Sequence, residues 1–217
     1  MNEIGLSELL QLIIRDKGGT ADQYNQLMDY IAFHETGPAQ RMSASAQQKG
    51  GGPGRGLFQF EVGENKGGNL AVNRTVNYLE RNNQFVPQWL RELWEGKKSV
   101  DVSSLNADQQ KMLFLGYHRE HPTSDFSKLW SGQQSTADFW LKNHWAGTDN
   151  PQEKLNLFNK SMLAKDSTDA IKAKKEELMY KQNMAPYLAD TNNINKIPNV
   201  NNVINSIFGT KQSSLIK

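Results

Sequence analysis

Residues 20–37 read TADQYNQLMDYIAFHETG. Thr20 with Gln23 has the spacing of a capping box, so a helix is predicted to open there. Tyr24, Leu27, Met28, Ile31 and Ala32 then recur at three- and four-residue steps, the stripe a helix buries against a core. Glu35 lies eleven residues beyond Tyr24. At about 100° per residue that is three turns plus about 20°, so the carboxylate points with the apolar stripe. Burying a carboxylate without a cation costs several kcal/mol, which the group avoids by keeping its proton. The negative end of the helix dipole acts in the same direction. A carboxylic acid still protonated near neutrality is suited to general-acid cleavage of a glycosidic bond. The competing reading is a helix that frays early and leaves Glu35 exposed, or paired with Arg41 or Arg55.

The sequence after the helix is rich in glycine. Gly37 is followed by Ser43 and Ser45, and then by the loop Gly50, Gly51, Gly52, Pro53, Gly54, Arg55, Gly56. No Lys-Ser or Lys-Thr pair follows at phosphate-loop spacing and no GxGxxG register fits, so nucleotide binding is not indicated. GLFQFE, residues 56–61, comes next. Gly56 to Val62, with Leu57, Phe58, Phe60 and Val62, is the one stretch that reads as a short strand.

Taken together these segments resemble the lysozyme-like superfamily, specifically lytic transglycosylases and goose-type lysozymes. The pattern in that family is a helix ending in Glu-Ser, a Ser some residues on, then Gly-x-Gly-Leu-Met-Gln. Here Glu35-Thr36, a Ser at 43 or 45, and Gly54-Arg55-Gly56-Leu57-Phe58-Gln59 match in type and order. A third family signature, Ala-Tyr-Asn-x-Gly on a helix, has its counterpart in Leu115-Gly116-Tyr117-His118. His118 stands where the family has Asn, the following Gly is missing, and Thr36 replaces Ser. The resemblance covers about residues 20 to 150.

The resemblance implies a substrate, peptidoglycan, cut at the β-1,4 bond between N-acetylmuramic acid and N-acetylglucosamine. It implies Glu35 as catalytic acid, with Ser43, Phe58, Gln59, Phe60 and Tyr117 as substrate-binding or positioning residues and no cofactor. A transglycosylase would need no second carboxylate, whereas a hydrolase usually does. Glu61 and Glu64 are the nearest candidates in sequence, Glu61 being preferred. Phe58 and Phe60 flank Gln59, whose amide is placed to hydrogen-bond an N-acetyl group. The tryptophans at 89, 94, 130, 140 and 145 are expected mostly in the core. His34 points about 100° away from Glu35 and reads as a neighbour. His118 and His121 sit one turn apart, but without HExxH or any cysteine a metal site is not expected.

The rest of the chain sets the frame. Its 217 residues suit one main domain with an appendage. Lys and Arg total 25 against 23 Asp and Glu, a net charge of +2 too small for a dedicated nucleic-acid binder. With no cysteine, disulfides, thiolate zinc sites and cysteine nucleophiles are excluded. The absence of any apolar run near 18 residues argues against a membrane span. Further helix starts are marked by Asn106 with Gln109 and by Asn150 with Glu153 and Pro151, and Leu70 to Arg81 and Pro87 to Glu95 also read as helices. The expectation is a mainly α, lysozyme-like domain over residues 1–165 with a short β or irregular segment. Residues 166–217 form a charged helical, then polar, extension. Seven asparagines fall between Thr191 and Ser206, yet Ile197, Val200, Ile204, Ile207 and Phe208 recur at helical steps. That segment, about 195–209, is expected to dock either on a partner, such as another virion protein, or on its own domain. The start of the chain has no secretory-signal plan, so a bacteriophage protein carried in the virion, or held in the host cytoplasm until release, is the expected setting for action on a cell wall. A non-catalytic structural protein that keeps the same fold is the rival reading.

Overall fold

A computed structural model describes residues 4–96, 99–145 and 150–188. The Asn-rich run and the 195–209 segment lie outside the described residues. The chain is mainly α. It divides into two compact units, residues 1–165 and residues 166–217.

The first unit opens with α1 (Leu6–Lys17) and α2 (Ala21–Thr36). The capping box at Thr20 forms as its spacing predicts. Thr20 Oγ1 accepts from the Gln23 amide at 3.2 Å and Gln23 Oε1 accepts from the Thr20 amide at 2.9 Å. Tyr24, Leu27, Met28, Ile31 and Ala32 are all buried, so the stripe faces the core. Gly37, at φ 61°, ends α2 in a conformation glycine adopts without strain.

The segment expected as one strand, Gly56 to Val62, is a turn between two short strands. β1 (Gly54–Arg55) pairs antiparallel with β2 (Phe60–Glu61). Gly56 at φ 75° and Gln59 at φ 48° reverse the chain and prevent an extended run. At Gly56 a side chain is excluded twice, by the positive φ and by the Gln110 side chain lying where a Cβ would project.

Behind this turn lie α3 (Gly67–Arg81), α4 (Gln88–Gly96), a short 3-10 turn (Val102–Ser104) and α5 (Ala107–Arg119). The Asn106–Gln109 capping box starts α5 with bonds of 2.9 and 3.0 Å. α3 and α5 form the tightest helix pair, because Gly116 lets α5 settle directly onto Thr75. α6 (Phe126–Trp130), α7 (Thr136–Asn143) and α8 (Pro151–Leu188) complete the order.

Of the five tryptophans only Trp140 is fully in the core. Trp89, Trp130 and Trp145 are half-buried and pack against it, and Trp94 is exposed. The expectation of mostly core tryptophans is therefore corrected: an indole is large enough to touch the core and still reach solvent. Within the second unit, the described residues continue α8 to Leu188, and their charged face from Lys172 to Lys181 carries i,i+4 ion pairs of Lys172 with Glu176 and of Lys181 with Glu177. No described helix is long and apolar enough to cross a membrane.

Candidate functional site

Glu35 sits in the last turn of α2 and contributes to one wall of a cleft of about 510 Å³. The cleft is also lined by Phe58, Gln59, Phe60 and Glu61 from the β-turn, by Asn65 to Gly67 and Leu70 at the start of α3, by Tyr117 of α5, and by His144 and Trp145 after α7. Neither arginine suggested as a partner reaches the acid. Arg41 lies over the Phe33 ring at 4.7 Å, and Arg55 donates to the carbonyls of Gly52 and Gly54 at 2.5 and 2.8 Å. Trp140 of α7 does reach it, its indole N–H donating to Glu35 Oε1 at 2.5 Å. Burial pushes the Glu35 carboxyl up from its ordinary 4.5 to about 7, and the Trp140 bond, which favours the charged form, opposes this without cancelling it. Because Oε1 is an acceptor of the indole proton, Oε2 is left as the atom that carries the acid's own proton.

Thr36 closes the helix behind the acid. Its hydroxyl donates to the Ala32 carbonyl at 2.7 Å and accepts from the Met42 amide at 2.9 Å. This hydroxyl ties the turn after α2 to the helix. His34 faces elsewhere, as its angular offset predicts. Its Nδ1 lies 2.8 Å from Ser161 Oγ, and its ring packs on Trp140 and Phe158.

The residues read from the sequence do not all land in the cleft. Phe58, Gln59, Phe60, Glu61 and Tyr117 line it, but Ser43 does not. The chain turns at Met42, φ 57°, and Ser43 Oγ pairs with Ser45 Oγ at 3.1 Å. Phe58 and Phe60 show little surface. Phe58 stacks on Phe114 with centroids 4.4 Å apart, and Phe60 meets the edge of Tyr117 at 5.5 Å. The Gln59 amide nitrogen, expected to meet an N-acetyl group, instead donates to the Gly56 carbonyl at 2.8 Å, and its Oε1 is buried without a partner. Gln59 therefore braces its own turn. Glu61 is exposed on the rim and pairs with Lys66 at 3.6 Å, while Glu64 is exposed and does not line the cleft. Tyr117 carries the Arg74 guanidinium over its ring at 4.3 Å.

Three residues that hold the site had no signal of their own in the sequence. Gln110, fully buried on α5, accepts from the Leu57 amide at 2.7 Å and donates to the carbonyls of Ala44, Val102 and Leu105 at 2.7 to 2.9 Å. It joins the loop after α2, the cleft turn and the 3-10 turn. Trp140 and His144 stand one helical turn apart, the first bonding Glu35 and the second bonding the Phe58 carbonyl at 2.8 Å. His118 and His121, one turn apart on paper, have ring centroids 6.4 Å apart, and His118 spends its nitrogens on Ser124 and His144. Among the described residues no group of three or more His, Cys, Asp or Glu is gathered as metal ligands would be. Compared with protein-family models, curated proteins and solved structures, the chain matches none.

Proposed function

We propose that this chain degrades peptidoglycan as a lytic transglycosylase of lysozyme-like fold, cleaving the β-1,4 bond between N-acetylmuramic acid and N-acetylglucosamine with Glu35 as its one acid and base. The observation that carries the reading is the state of Glu35, a carboxyl raised to about 7 by burial, bonded by Trp140, on the wall of an open cleft. The Glu35-Thr36 and Gly54 to Gln59 segments, which resemble those of lytic transglycosylases, support the same substrate class.

In this reading the Oε2 proton passes to the bridging oxygen as the bond from C1 of the muramic acid breaks, and the N-acetylglucosamine side leaves with a new hydroxyl. The Glu35 carboxylate so formed is stabilised by the Trp140 N–H. It then takes the proton of the muramic acid's 6-hydroxyl while O6 bonds to C1, closing a 1,6-anhydro ring and returning Glu35 to its acid form. No water is consumed. A lysozyme-type hydrolase is the second reading, favoured by the position of Glu61 on the same cleft.

Digestion of purified sacculi followed by mass spectrometry tests both. Anhydro-ended muropeptides are expected, and reducing ends would replace the transglycosylase by the hydrolase. Glu35→Gln should lower product formation by about 10²- to 10⁴-fold, the usual worth of a positioned general acid. Equal clearing by this variant and the unaltered chain would remove Glu35 from the chemistry and leave a non-catalytic role.

A further inference from the structure

His144 and His118 form a hydrogen-bonded chain whose direction follows from its end. The Phe58 carbonyl can only accept, so the His144 Nε2 atom 2.8 Å away carries a proton. A neutral His144 then has its lone pair on Nδ1, which faces His118 Nε2 at 3.2 Å, and His118 must donate there. That leaves the His118 Nδ1 lone pair for the Ser124 hydroxyl at 3.0 Å. Every proton in the series is accounted for with both rings neutral: Ser124 donates to His118, His118 to His144, and His144 to Phe58.

The surroundings favour that state. His118 is buried between Phe114 and Phe139, with centroids 4.5 and 5.0 Å away. The charged and titratable groups that act on the pair are Arg74 of α3, His121 just beyond α5 and His34 of α2, each of which disfavours an imidazolium, while Glu35, Glu61 and Lys66 line the cleft that His144 also lines. Burial holds both rings below the ordinary histidine range, His144 at about 4.

We propose that His118 and His144 are positioning residues of the Glu35 cleft, acting as a pair of neutral imidazoles that hold the Phe58 carbonyl, and with it the Phe58–Gln59 turn, at a fixed place in the cleft that the acid also lines. The C-terminal end of α7 bonds Glu35 through Trp140 and Phe58 through the capping His144, so the acid and the turn that lines the same cleft are both tied to one element. Gln59 follows at φ 48°, a backbone state that non-glycine residues rarely adopt and that such a brace helps to hold. Glycan bound in a cleft lined by both the turn and the acid needs their relative position kept to a fraction of an ångström. The inference rests on the proposed glycan cleavage for its catalytic consequence, but the chain of protons does not.

The test uses the full-length protein. Long-range ¹H–¹⁵N spectra of the imidazoles at pH 7 are expected to show both rings neutral and protonated on Nε2. A charged ring, or a His144 protonated on Nδ1, overturns the proposal. His118→Phe removes the donor to His144 and His118→Gln keeps one. The first should shift the Gln59 amide resonance while leaving α1 resonances in place, and should lower kcat on solubilised glycan strands about tenfold or more with KM within about twofold. The second should restore most of both. A Phe variant with unchanged kcat and an unmoved Gln59 resonance, or a Gln variant no better than Phe, overturns the proposal. If the unaltered chain releases no product at all, the glycan reading fails, and the imidazole spectra and the Gln59 resonance still decide the positioning role.

Discussion

Trp140 opposes, through a single bond, the effect of burial on the proton of Glu35. Its indole N–H favours the carboxylate, so removing it must raise the acid's pKa further. In Trp140→Phe the Glu35 carboxyl should titrate above its present value of about 7. A ¹³C titration of the glutamate carboxyl carbons measures this directly, and a Glu35 midpoint at the ordinary 4.5 in the unaltered chain would remove the basis for an acid role. The same variant should extend the alkaline limb of any cleavage profile upward while slowing the reaction, because the carboxylate left after proton transfer has lost its donor. The larger cost is in packing. Trp140 stacks on Phe158 at 4.8 Å and on Trp145 at 6.0 Å, and a smaller ring leaves part of that contact empty.

At the scale of elements, the cleft turn is held from behind by Gln110. Truncating that side chain strands the buried Leu57 amide and takes the Gln110 donor from the part-buried Ala44 and Leu105 carbonyls, while the Val102 carbonyl keeps the Leu105 amide. Each stranded group costs about 1–3 kcal/mol, so Gln110→Leu should lower stability by about 3 kcal/mol or more in urea denaturation. Gly56→Ala should be of similar size, since it combines a positive φ with a Cβ directed into Gln110. The two share one contact, and the double variant should therefore cost less than the sum of the singles. Strict additivity would mean that Gly56 and Gln110 do not meet. Only part of this element was readable in the sequence. The glycine-rich run up to Gly56 was plain in the sequence, but the apolar residues Leu57, Phe58, Phe60 and Val62 suggested a strand, because a positive φ at Gln59 leaves no trace in residue type.

For the whole molecule, four half-buried or buried histidines and one half-buried acid set opposed pH dependences. His34 and His144 are held down to about 4 by burial, and His118 and His121 are lowered as well. Between pH 6.5 and about 4 the unfolded chain binds protons that the folded chain refuses, so their contribution to stability is complete above about 6.5 and is lost on acidification. Glu35 works the other way. Its folded form keeps a proton up to about 7 that the unfolded form releases near 4.5, so stability falls as pH rises through that interval. With four histidines against one raised carboxyl, thermal midpoints should drop from pH 6.5 to pH 4. Glu35→Gln should steepen that drop by removing the opposing term. A midpoint independent of pH over this range would contradict the buried, neutral histidines.

The sequence alone determined the helices whose ends are chemically marked, such as α2 from Thr20 and α5 from Asn106, because a capping box is a bond between residues three apart and needs no tertiary partner. It also put Glu35 on the side of the buried stripe, since angular position on a helix follows from spacing, but left open whether the helix ran that far. What meets that face came only from tertiary structure. Trp140 is 105 residues from Glu35, Gln110 is 53 from Leu57, and His144 is 86 from Phe58. Periodicity reports which side of an element is buried, and it carries no information about which distant donor arrives there. The protonation of the acid, the bracing of the turn and the histidine pair were therefore decided by packing between elements.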